Sequence, residues 1–342
     1  MPQPHDLDFP FSTLRTGDVL EVVPGLSWFR MRLPYRLNHV NLWILEDGDE
    51  LAVVDTGMNL PDSREAWSRV LAERFGNRRI GRVIATHYHS DHIGLAAWLC
   101  ETQRANLFAT HIEWCMARLL GIDATRSYVE VQRAFYRRMG FSPEQLDRLD
   151  AAGNAYAQKV IPVPPEVRCL RSGDRLAVGG RVWRVITAPG HSPEMACLYD
   201  AKAGILIAGD HVLPSITPNV SIYPAEPEGD PLSDYLGSFA PFLALPADTL
   251  VLPSHGRPFR GLHTRIRQIE AHHAERLDRV WQACAEPRRV TDLLDVLFEP
   301  NLNDHERVIA TGEALAHIHC LTGRGRLCES VDGDGLLRYV RS

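Results

Sequence analysis

The chain has 342 residues, 45% of them hydrophobic and 23% charged, and a formal net charge of −6. That balance is the one expected of a globular protein with room for one large and one small domain. It excludes a protein built around a basic surface for bulk polyanions, and no apolar stretch approaches the ~20 residues that span a bilayer. Positive charge is almost entirely arginine, Lys159 and Lys202 being the only lysines. Seven cysteines (Cys100, Cys115, Cys169, Cys197, Cys284, Cys320 and Cys328) form no C-x-x-C pair and read as reduced thiols. Residues Met1 to Phe11 carry Pro, His and Asp with no apolar run, so the expectation is a cytoplasmic protein without a secretory leader.

Short apolar runs at Val19–Val23, Val40–Leu45 and Leu51–Val54, punctuated by Gly and Asp, predict strands and hairpins. Pro61–Arg74 reads as a helix opened by Pro61-Asp62-Ser63, Arg82–Ala85 as a strand, and Ile93–Cys100 as a helix with Leu95, Trp98 and Leu99 on one face. Residues 111–160 are helix-rich, Arg-rich and aromatic (Trp114, Tyr128, Phe135, Tyr136), and Pro162-Val163-Pro164-Pro165 ends them. Strands resume at Arg175–Val178, Val182–Ile186, Ala196–Tyr199 and Ile205–Ala208. Strands, helix, strands and helix over some 250 residues predict a layered α/β domain. Near residue 260 the pattern changes to one long helix, Arg265–Ala285, two shorter ones at Val290–Phe298 and Asp304–Leu321, and a hairpin turning at Asp332-Gly333-Asp334-Gly335. Three helices and a terminal hairpin form a winged-helix pattern. The expected organisation is therefore a catalytic domain over 1–258, with a helical insertion at about 111–160, and a winged-helix-like domain over 259–342.

The chemistry concentrates in His87-Tyr88-His89-Ser90-Asp91-His92, directly after the apolar run Val83-Ile84-Ala85. Imidazole and carboxylate together suit Zn²⁺, and also Fe or Mn. At a strand-to-helix turn, His87 and His89 are two apart in an extended segment and point the same way. Asp91 and His92 lie beyond the turn and can face a second metal. Downstream, His191 (Pro189-Gly190-His191), Asp210 (Gly209-Asp210) and His255 (Ser254-His255-Gly256) each end an apolar strand, where α/β folds place their sites on a rigid base. Any one of the remaining histidines reads as a surface or core residue, with His211, beside Asp210, the most tempting exception.

The H-x-H-x-D-H run followed in order by G-H, G-D and H-G, each after a strand, resembles the metallo-β-lactamase-fold superfamily over roughly residues 18–258. The resemblance implies an αββα sandwich with a two-metal site at one edge. It implies His87, His89 and His191 on a first metal, Asp91, His92 and His255 on a second, and Asp210 bridging. Asp55, in Val54-Asp55-Thr56-Gly57, matches the family's early Asp, which supports the ligands by hydrogen bonds. Two divalent ions, zinc foremost with iron or manganese as alternatives, would lower the pKa of a shared water to near neutrality. The resulting hydroxide would attack a carbonyl or phosphoryl centre, oriented by Asp91 or Asp210.

Position 210 is Asp where the best-known β-lactamase subclass carries a Cys ligand. That favours the glyoxalase II-like thioesterases, lactonases and phosphodiesterases. The leading expectation is a hydrolase of a small ester, thioester or lactone. An endoribonuclease or phosphodiesterase using the same metals, and an iron-dependent persulfide dioxygenase, are the alternatives. The tail resembles the winged-helix domain of one subgroup, some of whose members act on RNA. From Arg260 onward, however, twelve Arg meet thirteen Asp plus Glu, which leaves no basic footprint for nucleic acid. The tail is instead expected to pack on the catalytic domain or to form a homodimer contact. The long interval between His92 and His191 places the 111–160 insertion as a cap over the metals.

Overall fold

The computed structural model describes residues 6–123 and 125–342. The first strands are β1 (Val19–Val23), β2 (Leu26–Arg32), β3 (His39–Asp47) and β4 (Glu50–Val54), an antiparallel meander. Helix α1 (Pro61–Phe75) opens with Pro at its first turn and ends at Gly76 in the left-handed region, a pairing that starts and stops helices cleanly. Then come β5 (Ile80–Ile84), α2 (Ser90–Ile93), α3 (Ala96–Gln103), β6 (Asn106–Thr110), α4 (His111–Ile122), α5 (Arg126–Met139), α6 (Pro143–Ala152) and β7 (Arg168–Leu170). The seven strands lie in sequential order in one sheet, with β4 to β7 parallel.

The second sheet holds β8 (Arg175–Val178), β9 (Arg181–Ala188), β10 (Met195–Asp200), β11 (Ile205–Gly209) and, beyond α7 (Pro231–Gly237) and α8 (Ala240–Leu243), β12 (Leu250–Pro253). The chain continues as α9 (Leu262–Ala283), a short 3-10 turn running into α10 (Leu294–Leu297), α11 (Asp304–Gly323) and a hairpin of β13 (Leu327–Val331) and β14 (Leu337–Arg341).

Period-two alternation sorts the side chains into three apolar layers. Along β3, Trp43 and Leu45 face the second sheet and meet Trp183, Leu198 and Ile207, while Val40, Leu42 and Ile44 face α1 and α3. In the second sheet Leu198 and Ile207 point into the sandwich, and Cys197, Leu206 and Ala208 point out toward α7, α9 and α11. The result is the expected helix–sheet–sheet–helix layering. The outer layer does not stop at residue 258: Ile266, Ile269, Leu315 and Ile318 share one cluster with Leu206, Ala208 and Val251.

Three strands escape the sequence pattern. β2 is buried along nearly its whole length, so alternation is erased. β6 and β7 are short, and because they pair in parallel, residues 111–167 form the crossover between neighbouring strands. Within that crossover α5 and α6 pack against the C-terminal helices through Phe135, Tyr136, Met139 and Leu146. The stretch expected as one helix over Ile93–Cys100 is split between α2 and α3, so Asp91 and His92 sit on a single helical turn. Among the described residues, no helix is long and apolar enough to cross a membrane, and all seven cysteines are free thiols.

Candidate metal centre

The strands deliver their polar residues to one edge of the sandwich. β4 leads to Asp55, β5 to His87, and β9, β11 and β12 to His191, Asp210 and His255. Backbone hydrogen bonds lock the two sheets together at this edge, from Ala196 N to Thr86 O (2.8 Å) and from Asn41 N to Ser254 O (2.7 Å). Asn41 of β3 reaches across to Pro253 O and Gly256 O at 2.8 and 3.0 Å, which fixes the turn that carries His255.

The seven residues come together as two overlapping groups. His87 Nε2, His89 Nδ1 and His191 Nε2 form a triangle with edges of 2.9, 2.9 and 3.2 Å. Asp91 Oδ2 lies 3.6 Å from His92 Nε2 and 3.5 Å from His255 Nε2. Asp210 Oδ2 stands between the groups, 3.5 Å from His92, 3.4 Å from His191 and 3.4 Å from His255. Three sets, His87/His89/His191, His87/His92/Asp210 and Asp91/His92/His255, have the geometry to hold a metal ion.

The hydrogen bonds behind the rings set the tautomers. His191 Nδ1 donates to Asn219 O (2.6 Å), His255 Nδ1 to His39 O (2.7 Å) and His92 Nδ1 to Asp55 Oδ2 (2.8 Å). Thr86 Oγ1 donates to Asp55 Oδ2 (2.8 Å) and so accepts from His87 Nδ1 (2.9 Å). In all four rings Nε2 is left with its lone pair aimed inward, the arrangement that prepares an imidazole for a cation. Asp55 also takes Thr86 N at 2.7 Å, and its own backbone sits at φ +63°, a left-handed conformation that Asp tolerates better than most residues.

Electrostatics match that reading at His87, whereas at His92 and His255 the carboxylates facing Nε2 favour a proton there, in the place a cation would take. Burial, reinforced by the neighbouring imidazoles, holds His87 and His89 well below the ordinary histidine pKa, so both are neutral. Burial works against charge on Asp210, yet the facing His255 and His92 outweigh it and hold the carboxyl well below its usual range. Burial likewise opposes His92 and His255, but Asp210 and Asp91 raise both. His92 Nε2 and Asp210 Oδ1 are buried and have no hydrogen-bond partner. Neutral imidazole lone pairs packed within about 3 Å, buried carboxylates and orphaned buried polar atoms form a donor set that fits divalent cations.

Comparison with known proteins supports the same identity. Residues 35–255 match the family model described as the metallo-beta-lactamase superfamily, and residues 277–342 match the metallo-beta-lactamase-like C-terminal domain. The chain belongs to the metallo-beta-lactamase superfamily. Its structure is similar to the crystal structure of a beta-lactamase domain protein from Burkholderia ambifaria, with a TM-score of 0.92 and 40% identity over 99% of each chain. It is 25% identical over 94% of its length to the probable metallo-hydrolase YqjP of Bacillus subtilis, covering 97% of that protein. It is 26% identical over 69% of its length to the human acyl-coenzyme A thioesterase MBLAC2, covering 79% of that protein.

Several residues of this metallo-beta-lactamase-superfamily site carry no sequence signal of their own. Glu113, on the first turn of α4, is fully buried and accepts from Tyr88 N (2.9 Å), Ser192 Oγ (2.7 Å) and Glu194 N (2.7 Å). It thus ties the 87–92 run to the turn that carries His191. His39 accepts from Gly256 N through Nε2 and supplies the carbonyl for His255; burial, ahead of Arg30 and His255, pushes its pKa down to about 3. Tyr156 donates to Tyr88 O at 2.6 Å, so the end of the crossover lies against the metal-binding run. His211 belongs to none of the metal-binding sets. It packs edge-on and tilted among Tyr235, Phe239 and Phe242 and bonds Ser238 Oγ at 3.0 Å.

Proposed function

We propose that this protein is a dinuclear metal-dependent hydrolase of thioesters, with other small esters and lactones as the neighbouring substrate classes. The observation that carries the reading is Asp210 Oδ2, at 3.4–3.5 Å from imidazoles of both groups. His87, His89 and His191 are assigned to one cation, Asp91, His92 and His255 to the other, and Asp210 to both. When bound, two divalent cations would supply Lewis acidity and a water that is deprotonated near neutral pH. Zinc suits the mixed imidazole and carboxylate donors best, with iron and manganese as alternatives.

The chain's own residues do the rest. Asp91 is the more solvent-accessible of the two carboxylates assigned to the cations, with its side chain 19% exposed against 9% for Asp210. It therefore faces the side from which substrate enters and is placed to orient the attacking water and take its proton. Asp55, Thr86, Asn219 and His39 keep the imidazoles aimed and in one tautomer. A carboxylate rather than a thiolate at position 210 disfavours β-lactams as the main substrates. The likeness to relatives named acyl-coenzyme A thioesterases favours a thioester over the other ester classes.

The test is a panel of acyl-thioesters, lactones, phosphodiesters and RNA, run with metal quantitation on the same preparation. Thioester turnover with two metals per chain, lost together with metal in a folded Asp210→Ala variant, is the expected result. RNA or phosphodiester cleavage without thioester turnover would replace the reading with a nuclease. One iron per chain with oxygen consumption on a persulfide would replace it with a dioxygenase.

A further inference from the structure

The connection from Asp210 to α7 is about twenty residues long and forms no strand or helix of its own. It carries Asp210 at its start and, at Asn219, the carbonyl that accepts from His191 Nδ1. What holds it is the C-terminal region. Arg265 of α9 donates to Leu213 O and Ile216 O at 2.5 and 2.8 Å. Ile222 N donates to Gly312 O of α11 at 3.1 Å, Ser221 Oγ lies 3.3 Å from Ile309 O and 2.7 Å from Asn219 Oδ1, and His319 reaches Gly229 O at 2.9 Å.

Gly312 is the point of closest approach. It lies in the interior of a 20-residue helix, where glycine is among the poorest helix formers. A Cβ there would stand 2.8 Å from Ile222 O, 2.9 Å from Ser221 Cβ and 3.1 Å from Ser221 Oγ. The missing side chain lets α11 touch the 219–223 segment backbone to backbone.

We infer that the C-terminal region is part of the metal centre: α11, through Gly312 and Ser221, positions Asn219 and through it His191. His191 is the one member of its group that does not come from the 87–92 run, so its placement depends on contacts from elsewhere in the chain. Partners that fix a ligand imidazole commonly affect metal affinity by 10- to 100-fold. Gly312 and Ser221 are positioning residues, and the inference rests on the assignment of His191 as a ligand.

The experiment uses the full chain, stripped of metal and titrated with Zn²⁺, for wild type, Gly312→Ala, Ser221→Ala and His191→Asn. The metal-free melting temperature is recorded for each. Gly312→Ala is expected to weaken one of two sites about tenfold or more, the site that His191→Asn abolishes, and to leave the other as in wild type. Ser221→Ala is expected to weaken the same site by less, and it carries the test if Gly312→Ala does not fold. Wild-type affinity at both sites in folded variants would overturn the inference, as would equal weakening of both sites. A wild-type chain that binds no zinc, or a His191→Asn chain with both sites intact, would instead overturn the ligand assignment on which it rests.

Discussion

Glu113 shows how much of this site depends on a residue that touches no ligand atom. Its carboxylate is buried and is met by three donors, two from the turn after His191 and one from the backbone between His87 and His89. Burial raises its pKa, while the hydrogen bonds from Glu194, Ser192 and Tyr88 work against that rise and favour the charged form. Glu113→Gln preserves shape but replaces one acceptor oxygen with an NH₂ group, so a donor must face a donor whichever way the amide turns. The expected cost is about 1–3 kcal/mol of stability, with weaker metal binding because the two ligand-bearing loops lose their common anchor. Thermal denaturation and zinc titration of E113Q check this; unchanged values in both would remove Glu113 from the supporting framework. Nothing in the sequence marks Glu113. A lone Glu on a helix, 25 residues from one partner and 79 from another, looks like a solvated charge. The candidate ligands were legible because a run such as His87 to His92 has few bland explanations, whereas the residues that aim them are ordinary types brought close only by folding.

At the level of elements, legibility followed periodicity. β3, β4, β10 and β11 carry dense apolar runs, and their extents agree with the pattern to within a few residues. β2, β6 and β7 carry weaker signals because full burial or short length hides the alternation. Most of the described residues over 111–152 did prove helical, as α4, α5 and α6, but the use of those helices is a matter of topology. α5 and α6 brace the C-terminal helices, with Arg148 of α6 bonding Asp304 of α11. The N-terminus of α11 is thus a junction: His305 stacks with Tyr35 and Glu306 pairs with Arg36. It is held by a capping box in which Asn303 accepts from Glu306 N at 2.9 Å and Glu306 accepts from Asn303 N at 3.0 Å. Asn303→Ala removes one half of that box and should cost about 1 kcal/mol. Amide exchange should quicken over the first turn of α11; unaltered exchange there would show that the tertiary contacts hold the turn without its cap.

Across the whole molecule, the C-terminal helices share an apolar layer with the second sheet, so a strain placed in one should be felt in the other. A test is built into that layer. His317 of α11 donates from Nδ1 to Glu313 O (2.8 Å), which leaves Nε2 to accept from His273 Nδ1 of α9 (3.2 Å). Both rings are buried and neutral, and His273 Nε2 has no partner. Burial first, then the surrounding imidazoles and Arg276, lowers His273 to about 2; burial also dominates at His317, to about 3, with the Glu313 carbonyl opposing. An unfolded chain binds protons on both rings below about pH 6.5. The folded chain refuses those protons, so the stability from this pair is fully present above about pH 6.5 and drains away as pH falls toward 3. The limiting slope is about 1.4 kcal/mol per pH unit for each ring. Metal-ligand histidines also titrate in acid, but comparison with His273→Gln, which removes one titrating ring and leaves the metal edge untouched, cancels them. H273Q should lose less stability than wild type between pH 6.5 and 4.5, by about one ring's share. Because the layer is continuous, signals from the C-terminal Trp281 and from the sheet Trp183 should report one transition in both proteins. Parallel stability curves for the two proteins would mean that the pair is not held neutral, and two separated transitions would mean that the helices and the sheet do not unfold as one.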